Sequence, residues 1–368
     1  MRILYVTTIS NTINAFIIPH IQQLVNFGHQ VDVACNVVHE IDPTLIELGC
    51  KVHNIAFQRS PFRINNLIAY MKIKKLIKLH NYDVVHTHTP IASVIVRMAC
   101  RKLKNVKVIY TAHGFHFYKG APLINWLLFY PIERYLSKYT DVLITINKED
   151  YDRAKKSFKA KKKEYVPGVG INIDEIEKIS VNRNDKRREL GIEDDAIILI
   201  SVGELNKNKN HETIIKAIAN IKEPKIYYII CGEGPLEKYL NRLIKKLNLE
   251  NKVIMLGYRS DVIEFLKISD IFIHPSFREG LPVALMEAMA CGLPIICSNI
   301  RGNCDLITHE NGGLLANPYD VNSFVFCIKK LLINVELREK FGLLNKENIK
   351  KYESQIIFNL INKIYGQQ

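Results

Sequence analysis

Residues 270–297 read DIFIHPSFREGLPVALMEAMACGLPIIC. The apolar runs Asp270–His274 and Leu293–Cys297 have the length and β-branched content of buried strands. Between them, Pro282 suits the first position of a helix, where a missing N–H costs nothing, and Gly292 followed by Pro294 stops it. The segment therefore predicts a strand, a helix over about 282–291 and a second strand. Strands joined through a helix run parallel, and a parallel sheet is covered on both faces.

The same alternation continues outward. Lys252–Leu256, Lys225–Cys231 and Ala196–Val202 read as strands, and so do Asp141–Ile146, Val106–Ala112, Tyr82–His88, Gln30–Cys35 and Arg2–Thr8, with stretches of helical period between them. After Val166-Pro167-Gly168-Val169-Gly170 a charge-mixed stretch (Asn182–Arg188, Glu193–Asp195) breaks the rhythm and marks a junction. From Asp320 to Tyr365 the spacing is helical only (Phe324, Ile328, Leu331, Leu332; Ile356, Ile357, Leu360, Ile361, Ile364). With 368 residues the chain is long enough for two domains. The reading is an α/β fold with two Rossmann-like, doubly wound domains, 1–168 and 169–350, and a C-terminal helix, 351–368, expected to pack back on the first. Ligands of open α/β sheets bind beyond the carboxyl ends of the strands, so the chemistry is expected in a cleft lined by strand-end loops.

Composition narrows the function. Hydrophobic residues make up 48% and charged residues 24%, the profile of a globular protein. Met1-Arg2 leads straight into the strand Ile3–Val6, which does not read as an export signal, and no apolar run reaches the roughly 18 residues of a membrane span. The eight cysteines (Cys35, Cys50, Cys100, Cys231, Cys291, Cys297, Cys304, Cys327) are scattered singly and read as buried reduced thiols in a cytosolic chain, with no zinc site. Residues 1–168 hold 24 Lys and Arg against 11 Asp and Glu, whereas residues 169–368 hold 27 against 26. So one-sided a basic field points to nucleic acid, to acidic lipid headgroups or to a solvated face.

Neither half has G-x-G-x-x-G after its first strand, nor a P-loop, which removes the main support for a dehydrogenase or an NTPase. The 276–292 segment, by contrast, lies directly after a strand end. Its helix presents free N–H groups, those of Val283 and Ala284, and a positive dipole end suited to a diphosphate. Glu279 precedes that helix and Glu287 lies more than one turn into it. Carboxylates beside an anion site are explained by sugar hydroxyls, which donate hydrogen bonds to them.

Glu279 and Glu287, with seven residues between them and Gly280-Leu281-Pro282 after the first, resemble the paired-glutamate signature of the retaining family 4 glycosyltransferases of GT-B fold. Ser201–Leu205 with Lys209, His274-Pro275-Ser276, and Asn311–Leu315 with Pro318 extend the resemblance over almost the whole chain. Thr111–Gly120 is similar to the bacterial capsular and exopolysaccharide branch. The resemblance implies that Glu279 sits at the transferred sugar, Glu287 at the ribose and His113 at the sugar from the first domain. It also implies that Lys209 neutralises the diphosphate, helped by Lys207, with Gly203, Gly280, Leu281, Val283 and Ala284 lining the donor. Glu204 stands where many relatives carry a phosphate-binding arginine. The family's glycines after the first strand are missing from Thr8–Ala15, so hydroxyl and amide side chains are expected to replace them. His86 and His88 lack acidic partners and read as hydrogen-bonded rather than metal-bound.

The resulting expectation is a retaining hexosyl- or N-acetylhexosaminyl-transferase using a nucleotide-sugar donor, a UDP-sugar, without metal or cofactor. The acceptor implied by the family is a polyprenyl-diphosphate-linked saccharide in capsular or exopolysaccharide synthesis. Lys72, Lys74, Lys75 and Lys78, and the run Trp126-Leu127-Leu128-Phe129-Tyr130, suit an anionic membrane surface, although a core helix explains the aromatic run equally well. The location expected is cytoplasmic, peripheral on the inner face of the plasma membrane, and no recognised motif supports nucleic acid. Competing readings are a nucleotide-sugar epimerase or a phosphorylase on the same fold, and a non-catalytic subunit of a polysaccharide-assembly complex.

Overall fold

The computed structural model describes residues 1–58, 60 and 63–366. The chain divides into two compact units. The first comprises Met1–Val169 together with the chain from Gln355 onward, and the second Gly170–Ser354.

In the first unit the strands are β1 (Arg2–Ile9), β2 (Gln30–Asn36), β3 (Val52–Asn54), β4 (Val84–Thr87), β5 (Lys107–Ala112), β6 (Val142–Thr145) and β7 (Lys162–Tyr165). They form one sheet in the order β3-β2-β1-β4-β5-β6-β7, paired in parallel throughout. Alternation along β1 divides the core. Ile3 and Tyr5 join a layer with Ile13, Ile17 and Ile21, while Leu4 and Val6 join another with Ile73, Ile77, Ile95 and Val96. The C-terminal helix Ser354–Gly366 closes the first layer with Ile357, Ile364 and Tyr365.

The segment after β1 differs from expectation. Thr8–Ala15 is not a loop: β1 continues to Ile9, and helical backbone begins at Ser10 and passes through a π-helical stretch, Ile13–Ile17, into the helix Ile18–Asn26. Burial of Ile13 and Ile17 in the core layer outweighs the poor helix propensity of this β-branched run. Two of the side chains expected to meet a donor are engaged internally. Ser10 Oγ accepts from the N–H groups of Val38 (3.2 Å) and His39 (3.0 Å), and Asn14 Nδ2 donates to the Glu40 carbonyl at 2.8 Å.

The helix Leu123–Leu136 divides the aromatic run between both readings. Trp126, Phe129 and Tyr130 pack on the cluster around Phe117 and Phe158, whereas Leu123, Ile124, Leu127, Leu128, Ile132 and Tyr135 remain exposed. Its orientation is fixed by Glu133, whose carboxylate accepts from Arg97 Nη1 at 2.9 Å and Nη2 at 3.1 Å in the buried interior. Among the described residues no helix is long and apolar enough to cross a membrane.

In the second unit, β8 (Ile197–Val202), β9 (Ile226–Cys231), β10 (Val253–Gly257), β11 (Ile271–His274), β12 (Ile295–Ser298), β13 (Thr308–His309) and β14 (Gly312–Ala316) form a parallel sheet in the order β10-β9-β8-β11-β12-β14-β13. Asp320–Tyr365 carries helices Val321–Leu332, Val335–Ile349 and Ser354–Gly366, with a single 3-10 turn at Lys350–Tyr352. Six cysteines are buried and Cys291 half-buried, but Cys304 is exposed, contrary to the reading of all eight as core residues.

Candidate active site

Strand order in the second unit reverses between β8 and β11, so their carboxyl ends, Val202 and His274, flank the crevice where open α/β sheets bind ligands. The loop after β8 is sewn onto the loop after β11 by asparagines. Asn208 Nδ2 donates to the Arg278 carbonyl at 2.9 Å, and the Asn210 amide bridges the Pro275 and Pro318 carbonyls at 3.0 Å each. Asn206 Oδ1 accepts from the Lys209 N–H at 3.0 Å. The loop after β9 packs directly on this one: a Cβ at Gly232 would lie 2.0 Å from the Gly203 carbonyl oxygen, and one at Gly234 2.8 Å from the Leu205 nitrogen. Only glycine permits that approach.

Glu279 is the centre of the site. Its Oε1 accepts from Lys209 Nζ at 2.8 Å and from His274 Nε2 at 3.0 Å, while its Oε2 has no hydrogen-bond partner among the described residues. Burial alone would raise the pKa of this carboxyl, but the Lys209 charge and the His274 hydrogen bond outweigh it and hold the group well below the usual carboxylate range. His274 is fully enclosed, and burial lowers its pKa despite Glu279, so it serves as a neutral donor. The result is an ionised carboxylate, fixed through one oxygen and open at the other.

The helix after Glu279 runs Val283–Ala290. Pro282 is its cap residue, with extended backbone (φ −77°, ψ 120°), so the helix begins one position later than expected. The N–H groups of Val283 and Ala284 therefore fall at the orphan end of the helix. The other end closes on Gly292: its N–H donates to the Met289 carbonyl at 2.9 Å, and that of Leu293 to the Ala288 carbonyl at 3.0 Å. Leu281 is buried, and the Gly280 carbonyl lies so near Gly302 that a Cβ there would come within 2.5 Å. The carboxyl of Glu287 makes no hydrogen bond with the described residues, and burial pushes it up to about 7.

The expected residues do not all gather here. Lys207 is exposed and lines a separate cavity of about 400 Å³ with Phe277, Tyr319 and Lys216, with no bond to Glu279. His113 belongs to the first unit, just past the end of β5. Its Nε2 lies 3.2 Å from His88 Nδ1, and burial pushes its pKa down to about 4, so it is a neutral imidazole. The loop that carries it is anchored where the Phe115 N–H donates to Asp150 Oδ2 at 3.0 Å. His86 and His88 are likewise buried and neutral. Among the described residues no group of three His, Cys, Asp or Glu is placed to hold a metal ion. Sequence reasoning missed His274 as the second partner of Glu279 and the Gly232-Glu233-Gly234 loop. The available signals were a histidine ending β11 and paired glycines directly after β9.

Two parallel seven-stranded sheets, one carrying an ion-paired glutamate between a switch-point strand and a helix N-terminus, match the architecture of the GT-B sugar transferases. Residues 182–347 match the family model of the glycosyl transferases group 1, and residues 2–147 that of the glycosyl transferase 4-like proteins. The protein EpsD of Bacillus subtilis (strain 168), whose name calls it a glycosyltransferase, is 37% identical over 347 residues, 93% of this chain and 90% of that one. A UDP-Gal:alpha-D-GlcNAc-diphosphoundecaprenol alpha-1,3-galactosyltransferase of Escherichia coli is 30% identical over 313 residues, 82% of this chain and 78% of that one. The crystal structure of Anabaena Alr3699/HepE in complex with UDP and glucose superposes with a TM-score of 0.83 over the full length of both chains at 18% identity, a likeness of fold. The chain belongs to the glycosyltransferase family, among GT-B enzymes resembling those of exopolysaccharide synthesis.

Proposed function

We propose that this glycosyltransferase transfers a hexose or N-acetylhexosamine from UDP, with retention, to a polyprenyl-diphosphate-linked saccharide in exopolysaccharide or capsule synthesis. The observation that carries the reading is Glu279, held at Oε1 by Lys209 and His274 with Oε2 open beside a helix N-terminus. Oε2 accepts a hydroxyl of the transferred sugar. Lys209 and the N–H groups of Val283 and Ala284, with the backbone of Gly203, Gly280 and Leu281, receive the diphosphate. Glu287 accepts the ribose hydroxyls, and the neutral His113 meets the sugar. The anomeric carbon–oxygen bond breaks as the acceptor oxygen adds on the same face, and the departing diphosphate takes the acceptor's proton. Glu279, ionised and paired, orients the sugar. No metal is required in this scheme, because Lys209 and the helix supply the positive potential. The Escherichia coli relative's name specifies UDP-galactose and a diphosphoundecaprenol-linked acceptor, which supports both halves of the proposal.

The test is calorimetric titration with UDP, GDP and ADP between pH 5.5 and 8, followed by assay of acceptor-dependent UDP release. UDP alone should bind. Ribose hydroxyls favour the ionised form of Glu287, so binding lowers its pKa from about 7. Protons are then released near neutral pH and affinity falls as the solution is acidified. The Glu287→Gln variant should lose this pH dependence. Affinity independent of pH in the parent would remove Glu287 from the ribose, and conversion of the UDP-sugar to its epimer without acceptor would favour an epimerase.

The acceptor's lipid anchor places the enzyme on an anionic membrane surface, and the exposed row Leu123, Ile124, Leu127, Leu128 and Ile132 supports this. Arg134, Lys138 and Lys159 line a groove of about 340 Å³ with Tyr130 and Tyr135 on the same helix. Vesicles rich in phosphatidylglycerol should sediment the protein, and Leu127→Asp with Leu128→Asp should reduce that binding at least roughly tenfold. Equal sedimentation of parent and variant would dismiss this helix as the membrane contact.

A further inference from the structure

We propose that Tyr365, on the C-terminal helix, is a positioning residue for His113, 252 positions earlier in the chain. The inference rests on the role given to His113 above. Tyr365 is buried to 1% exposure in the first unit. Its hydroxyl lies 2.6 Å from His86 Nδ1 and 3.1 Å from the Tyr5 hydroxyl, and His86 Nε2 lies 2.8 Å from Thr111 Oγ1. The Tyr365 hydroxyl gives its one proton to Tyr5, so it accepts from His86 Nδ1 and leaves His86 Nε2 to accept from Thr111, which fixes the tautomer and ring plane together.

His88 packs against both groups that Tyr365 binds. The Tyr5 ring stacks on it at 5.1 Å with 16° between planes, and the His86 ring lies 4.1 Å away. The only ring hydrogen bond of His88 among the described residues is the 3.2 Å contact to His113 Nε2, since its buried Nε2 has none. Stacking against Tyr5 and His86 therefore orients His88, and His88 orients His113. With Nε2 of His113 engaged, Nδ1 is the nitrogen left to address a substrate. The tyrosine hydroxyl thus sets the plane of a catalytic imidazole two rings away, without touching substrate.

The test is a double-mutant cycle between Tyr365→Phe and His113→Ala, assayed for transfer. Tyr365→Phe keeps the ring and removes the hydroxyl. It should lower kcat about tenfold with the KM for the sugar donor nearly unchanged, because the fault is in orientation. In the His113→Ala background the same change should cost less than about twofold. Undiminished turnover of Tyr365→Phe, or an equal loss in both backgrounds, overturns the proposal. Nitrogen-15 spectra of the histidine rings supply the independent reading: the ring shifts of His88 and His113 should move in Tyr365→Phe, and again in Tyr5→Phe, and unmoved shifts refute the coupling. Should His113→Ala turn over at the parental rate, the role of His113 falls, and the ring spectra alone then decide whether Tyr365 sets its orientation.

Discussion

Replacing Glu279 by glutamine is expected to lower kcat by roughly two to three orders of magnitude, comparable to removing one preorganised charged contact at a reacting centre, while UDP affinity holds or rises. Both effects come from the geometry. The amide keeps an acceptor oxygen for Lys209 and His274, so the loop stays in place, but its second group becomes a donor and meets sugar hydroxyls with the wrong polarity. Removing the carboxylate's charge also leaves Lys209 without its counter-ion and freer to bind diphosphate. Parallel assays of turnover and UDP titration check both. Loss of UDP affinity together with turnover would mean that Glu279 serves chiefly to hold Lys209.

Lys209→Ala should weaken UDP binding by roughly 10- to 100-fold and reduce turnover further, since it removes the nearest cation from the departing diphosphate. It also strands Glu279, whose only remaining side-chain partner among the described residues is His274. In the parent the pKa of Glu279 is depressed, so its contribution to stability is present above the ordinary carboxylate pKa and lost as pH falls toward its folded value. The variant should therefore be less stable than the parent at pH 7, by on the order of 3 kcal/mol, and the difference should narrow at pH 2. Denaturant melts at the two pH values measure this. Unaltered UDP affinity would assign the diphosphate to another cation.

The sequence pattern reveals the strands that are buried on both faces, because Ile3–Val6, Ile198–Ile200 and Ile271–Ile273 are continuous apolar runs. It conceals β3 (VHN), β7 (KKEY) and β13 (TH), which lie at or next to sheet edges, are short, and carry polar residues that nothing forces inward. The helix beginning at Ser10 is hidden for the opposite reason: two isoleucines find a core that only the tertiary fold supplies. At the site, Glu279, Glu287 and Lys209 can be picked out because a local spacing carries them. The pairing of Lys209 with Glu279 cannot, since it depends on the loops after two strands bringing together residues 70 positions apart. Nor can the internal use of Ser10 and Asn14, whose partners lie beyond a whole helix and strand.

The C-terminal helix also bears on biosynthesis. Ile357, Ile364 and Tyr365 complete a core layer whose other buried members lie between Ile3 and Val166, so the first unit lacks part of its interior until the helix Ser354–Gly366 has left the ribosome. The intervening Gly170–Ser354 is a complete unit by itself. At about 5–20 residues per second its synthesis occupies on the order of ten to forty seconds. During that interval the apolar surface around Tyr5, Ile17 and Ile21 awaits its cover, and a unit begun before Gly170–Ser354 finishes folding only after it has been made. Chaperone dependence in the cell should accordingly track the nascent first unit, and a stop codon placed after Ser354 should send the product to proteolysis.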